Sequence, residues 1–310
     1  MAGFRFLQGG GAMNFNKVPI SIPEQIALLK QRGLSFNDEK RAAHYLSNIS
    51  YYRLRAYTYP FQDNNDPQHP FVRPVTFEQI LELYVFDRKL RMIVFDGLEK
   101  VEIALRTKII YHYALVCGSH WHENPTLYKN TDRFIRDIGK LYEEIDRSNE
   151  TFIKHYNNKY SQPPNPPAWM SLEVASIGLL SKLFENLKMS QEKKAVAKEF
   201  GLAHPYVLES WMHAFAQLRN ICAHHGRLWN RRLTTMPQLP KNPLFPFLSD
   251  TNIYANKIYT ILSCVTYILN IISPGNTFNR RLKELMSSCT LVDEKEMGFS
   301  KDWLKEPLWK

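Results

Sequence analysis

Apolar and polar positions alternate along this chain with helical spacing, and no strand-like alternation runs longer than four residues. The pattern predicts an all-α protein. Ser21 and Glu24 form a capping-box pattern ahead of Ile26, Leu28 and Leu29, which predicts a short first helix ending near Gly33. Asn37 is expected to cap a second helix that ends near Asn48. Thr76 and Gln79 open the longest periodic stretch, through Phe77, Ile80, Leu90, Val94, Leu98, Val101, Leu105, Ile109 and Tyr113. It meets no proline before Pro125, so it predicts a spine helix over about residues 76–117, about 60 Å long, with Gly97 a possible kink and Gly118 a stop. Thr131–Asn149 reads as a charged amphipathic helix. Further helices are expected over Trp169–Leu187, Gln191–Phe200, Pro205 onward, Ile253–Ile272 and Phe278–Met286.

Four prolines within Gln162–Pro167 mark a stiff extended linker. They divide the chain into an N-terminal helical part, 13–162, and a C-terminal part, 163–310, expected to pack as one unit. Residues 1–12, with Gly9-Gly10-Gly11, look like a tag or linker and are set aside from the fold. Ile258–Ile272 is apolar but short of the roughly 20 residues a spanning helix needs, and Tyr259, Ser263, Thr266 and Asn270 interrupt it. It reads as a buried helix.

Composition narrows the chemistry. An apolar fraction of 44% supports a packed core, and a formal charge of +10 with pI about 9.3 favours a polyanionic partner, nucleic acid first. The four cysteines, Cys117, Cys222, Cys264 and Cys289, form no C-x-x-C pair, which fits reduced thiols in a cytoplasmic protein. His120-Trp121-His122 offers two imidazoles without a third ligand at metal spacing. No phosphate-cradling glycine loop or metal motif is present, which argues against NTP or metal-dependent hydrolysis and predicts no cofactor. Tyr51, Tyr52, Arg53 and Arg55 interleave aromatics with arginines, a pattern able to stack bases and hold phosphates, or to plug the core.

One run concentrates the groups able to move protons or hold phosphate: Leu218-Arg219-Asn220-Ile221-Cys222-Ala223-His224-His225-Gly226-Arg227-Leu228-Trp229-Asn230-Arg231. The helix from Pro205 is expected to continue into it. At about 100° per residue, Leu208, Trp211, Phe215, Leu218 and Cys222 share an apolar face. His213, Gln217, Asn220 and His224 share the polar face, Arg219 lies between, and His225 sits on the apolar flank. A plain helix C-terminus with cations set against its dipole would use the same residues structurally.

Arg219-Asn220-x-x-x-His224 matches the R-x(4–6)-H pattern of HEPN-domain ribonucleases, and the wider run resembles the Abi family of bacterial phage-defence proteins, the AbiD/AbiF type. Tyr51-Tyr52-Arg53-Leu54, the Glu99–Arg106 segment, and Pro167-x-Trp169 with Glu173 are also similar to that family. The resemblance spans roughly residues 16–274. It implies a HEPN-like helical bundle and a metal-independent endoribonuclease of abortive-infection or toxin type. In it His224 is acid or base, Arg219 binds the phosphate and Asn220 positions. It also implies a homodimer with a composite site. His225 or His213 as a second proton carrier in the same chain is the competing account.

Glu102 and Arg106 are expected to pair on the spine helix, or to bring one carboxylate to the cluster. Arg227, Arg231 and Arg232 extend the basic surface. A non-catalytic RNA-binding protein, holding a small non-coding RNA, is the alternative function.

Overall fold

The computed structural model describes residues 18–310; the expected tag or linker at 1–12 lies outside them. Among the described residues the chain is all-α, with no strand longer than an isolated bridge. Contacts cluster into two compact units with their boundary between Tyr84 and Val85.

In the first unit, α1 (Ile22–Gln31) starts at the predicted capping box, with both reciprocal bonds between Ser21 and Glu24 formed. α2 (Glu39–Ile49) is capped by Asp38 rather than by the expected Asn37. The Asp38 carboxylate accepts the Arg41 N–H at 2.9 Å, while the Asn37 N–H is taken by Glu78. α3 (Tyr51–Thr58) carries the Tyr/Arg segment. Its Leu54 and Tyr57 are buried, whereas Tyr52 is 87% exposed.

α4 (Phe77–Cys117) is the predicted spine, 41 residues long. Thr76 and Gln79 exchange side chain-to-backbone bonds at its start, at 2.9 and 3.2 Å. Gly118, at φ +85°, ends it. The helix runs unbroken through Gly97, which serves close packing: a Cβ there would lie 2.9 Å from the Phe278 ring and 3.1 Å from Leu269.

The second unit adds α5 (Thr131–Asp146), α6 (Thr151–Lys159), α7 (Ala168–Ser171), α8 (Ile177–Asn186), α9 (Gln191–Glu199), α10 (Pro205–Ala223), α11 (Ile258–Ile272) and α12 (Phe278–Met286). The single helix expected over Trp169–Leu187 divides in two. Ser176 caps α8 through the Leu179 N–H, and the Ser176 N–H is itself held by Glu144 of α5 at 2.8 Å. The helix expected from Ile253 begins at Ile258. The proline-rich stretch lies inside this unit.

α10 packs against α8, α9 and α11. Leu208, Trp211, Phe215 and Leu218 on its apolar face are fully buried, as is every residue of α11 from Ile258 to Leu269. Burying an aromatic or leucine side chain is worth about 1.5–3 kcal/mol, so these two helices anchor the core and fix where the far end of α10 emerges. No disulfide joins any of the four cysteines.

Candidate active site

The motif sits where α10 stops. The helix was expected to continue through the run, but it ends at Ala223 with His224 as C-cap. Two bonds close the end: the His225 N–H donates to Cys222 O at 3.1 Å, and the Gly226 N–H to Ile221 O at 2.8 Å. That pair of bonds is the Schellman arrangement, which puts the first residue past the cap in left-handed conformation. Glycine usually fills that place; here it is His225, at φ +56°.

The chain beyond the turn is held from α4. Asp87, fully buried, forms an ion pair with buried Arg91. Its carboxylate also accepts the backbone N–H groups of Leu228, at 3.0 Å, and Trp229. Arg91 in turn donates to Gly226 O at 3.4 Å. Removing one partner of such a buried pair leaves an uncompensated charge and costs about 3–5 kcal/mol, so the clamp fixes the turn strongly. Neither residue was singled out from the sequence. The signal was there: Asp87 falls at the i+4 position after Leu83 and before Arg91, a charge inside an otherwise apolar stripe.

The residues of the motif divide. Asn220 and His224 are exposed, as the polar-face reading expects. The Arg219 guanidinium, half-buried, lies over the Phe95 ring of α4, 5.9 Å from its centroid. Phe95 also lines a groove of about 510 Å³ whose wall includes Arg88, Arg91, Met92, Glu99, Cys222 and His225. His225, the weaker candidate on sequence, thus shares a groove with the stacking partner of Arg219. Burial pushes the Cys222 thiol up to about 12, only partly opposed by Arg91, so it stays a neutral thiol.

The supporting candidates lie elsewhere. His213 faces α8, 3.3 Å from Ser181 Oγ and 3.8 Å from a Glu185 oxygen. It stands eleven residues before His224, about 16 Å along a helix. Glu102 and Arg106 form the expected pair at 3.0 Å, but Arg106 is buried and donates to Ala175 O at 2.8 Å. The carboxylates that line the groove are Asp96 and Glu99 instead. Arg227 lies over the Trp229 ring, Arg231 donates to Arg227 O at 3.2 Å, and Arg232 is exposed. In the first unit, Tyr51 accepts from Arg32 at 2.6 Å, Arg55 lies 3.1 Å from His69 Nε2, and Arg53 is exposed. His122 is fully buried. No cluster of three or more potential metal ligands occurs among the described residues, and no helix among them is long and apolar enough to cross a membrane.

The chain is an all-α protein that gathers an arginine, an asparagine and two histidines around one braced helix end. The chain belongs to the Abi-like protein family, which it matches over residues 44–230, a span that contains Arg219, Asn220, His224 and His225. Membership supports an abortive-infection role in defence against phage. No curated protein and no solved structure matches it.

Proposed function

We propose that the protein is a metal-independent endoribonuclease of the HEPN type, within the AbiD/AbiF kind of Abi protein, acting on RNA in the bacterial cytoplasm. The observation that carries this reading is the placement of Arg219. Its guanidinium is propped on Phe95 beside a helix end where Asn220 and His224 are open to solvent. A permanently charged, planar fork suits the oxygens of a phosphate becoming a phosphorane. An imidazole can take or give a proton near neutral pH. His224 is then acid or base, Arg219 stabilises charge on the phosphate and Asn220 positions. The 2′-oxygen attacks phosphorus, the bond to the 5′-oxygen breaks, and the products carry a 2′,3′-cyclic phosphate and a 5′-hydroxyl.

Such a reaction wants two proton carriers. A homodimer facing two motifs would supply the second from the other copy; His225 of the same chain is the other source. A non-catalytic RNA-binding role, with a small RNA restraining a toxin-type protein, draws support from a different surface, the exposed Tyr52 and Arg53 on α3.

The test uses wild type and His224→Ala with total cellular RNA in EDTA, with cleaved ends mapped. Cleavage by wild type alone, leaving cyclic phosphates, supports the reading. Equal RNA binding without cleavage by either, after stripping of co-purified RNA, moves the function to the binding role.

A further inference from the structure

We propose that His225 is the second proton carrier of the site, so that one chain holds the full acid–base pair with His224. The inference rests on the nuclease reading above and deepens it.

Three observations meet at His225. Its backbone is left-handed, at φ +56°, in the place past a helix cap that glycine fills with least strain. A strained non-glycine residue persists when its surroundings hold it there, and such residues gather at functional sites. The holding is visible: the Schellman bonds are donated by His225 itself and by Gly226, and Asp87 and Arg91 grip Gly226, Leu228 and Trp229 directly after it. Finally, His225 is exposed on the groove that also contains Phe95, the ring under Arg219. His225 therefore lines the groove beside Cys222, together with Phe95, whose ring carries the Arg219 guanidinium.

The groups facing this groove are Arg88, Arg91, Asp96 and Glu99 from α4 and Cys222 from α10. Arg91 is committed to Asp87, and Asp96 to Arg281 at 2.7 Å. In the reaction one ring accepts the 2′-hydroxyl proton as the O2′–P bond forms. The other delivers a proton to the 5′-oxygen as the P–O5′ bond breaks, and the two rings end with their protonation states exchanged.

Two variants separate chemistry from folding. Glycine suits the left-handed turn and asparagine tolerates it, so His225→Gly and His225→Asn should melt at or near the wild-type temperature. Both should bind an RNA fragment like wild type and cleave it at least 100-fold more slowly. Imidazole added to His225→Gly should restore part of the rate, and the bell-shaped pH–rate profile should lose one limb. Wild-type cleavage by either variant would overturn the inference and leave the nuclease reading standing, as would a loss of rate that imidazole does not restore and that leaves the pH profile unchanged. No cleavage by wild type itself would overturn the nuclease reading, and this inference with it.

Discussion

The Asp87 carboxylate, on the spine helix, accepts the backbone N–H of Leu228 at 3.0 Å, across 141 residues of sequence. With Trp229 N–H and Arg91 as its other partners, it ties the loop after α10 to α4. Asp87→Ala takes the carboxylate away from a buried guanidinium and two buried N–H groups. It should lower stability by about 3–5 kcal/mol in denaturant unfolding. A loss under 1 kcal/mol would mean that water or another side chain takes over the clamp.

Gly97→Ala sets two effects against each other. Alanine is better than glycine in a helix interior by about 1 kcal/mol. Its Cβ would sit 2.9 Å from the buried Phe278 ring and 3.1 Å from Leu269, and overpacking a tight core costs about 1–3 kcal/mol. The clash involves a packed ring with little room to move, so it should win. Thermal melting should show Gly97→Ala less stable than wild type; a higher melting temperature would show that α4 and α12 can part without loss.

These two sites mark where the sequence was readable and where it was not. The start of α1, the spine and the apolar face of α10 follow from local chemistry: a serine three residues before a glutamate, a long apolar period, a proline at the first turn. The end of α10 does not, because Cys222-Ala223-His224-His225 contains no residue that must stop a helix. The stop is completed by Asp87 and Arg91, far away in sequence. The break before α8 likewise depends on Glu144 from another helix. The candidate residues Arg219, Asn220 and His224 were legible as a spacing. That His225 takes the left-handed place past the cap was not, since a helical wheel assumes the helix goes on.

His122 predicts an acid sensitivity unrelated to the site. It is fully buried, neither ring nitrogen has a hydrogen-bond partner, and burial drives its pKa down to about 4. The unfolded chain protonates this histidine near its ordinary value of about 6.5. Above that pH both states are neutral and full stability is present. As pH falls from 6.5 towards 4 the unfolded state takes up the proton first, so stability is lost over that window, by roughly 3 kcal/mol at most. His122→Phe should fill the same space and flatten the loss. Parallel decline of both proteins in urea unfolding at pH 7, 6 and 5 would assign the acid sensitivity to other groups.

Arg219 separates charge from shape. Arg219→Lys keeps a cation but loses the fork that can hold two phosphate oxygens and the flat face that lies over Phe95. The stability change should be small, about 0.5–1 kcal/mol, since the ring contact is only half-buried. The catalytic change should be large: losing a preorganised donor to the developing charge costs about 10²–10³ in rate. Single-turnover cleavage of a defined RNA in EDTA would therefore fall by that factor in Arg219→Lys while its melting curve stays close to wild type. A lysine variant that cleaves within a few-fold of wild type would show that a point charge suffices. The stacking on Phe95 would then serve the helix end rather than the phosphate.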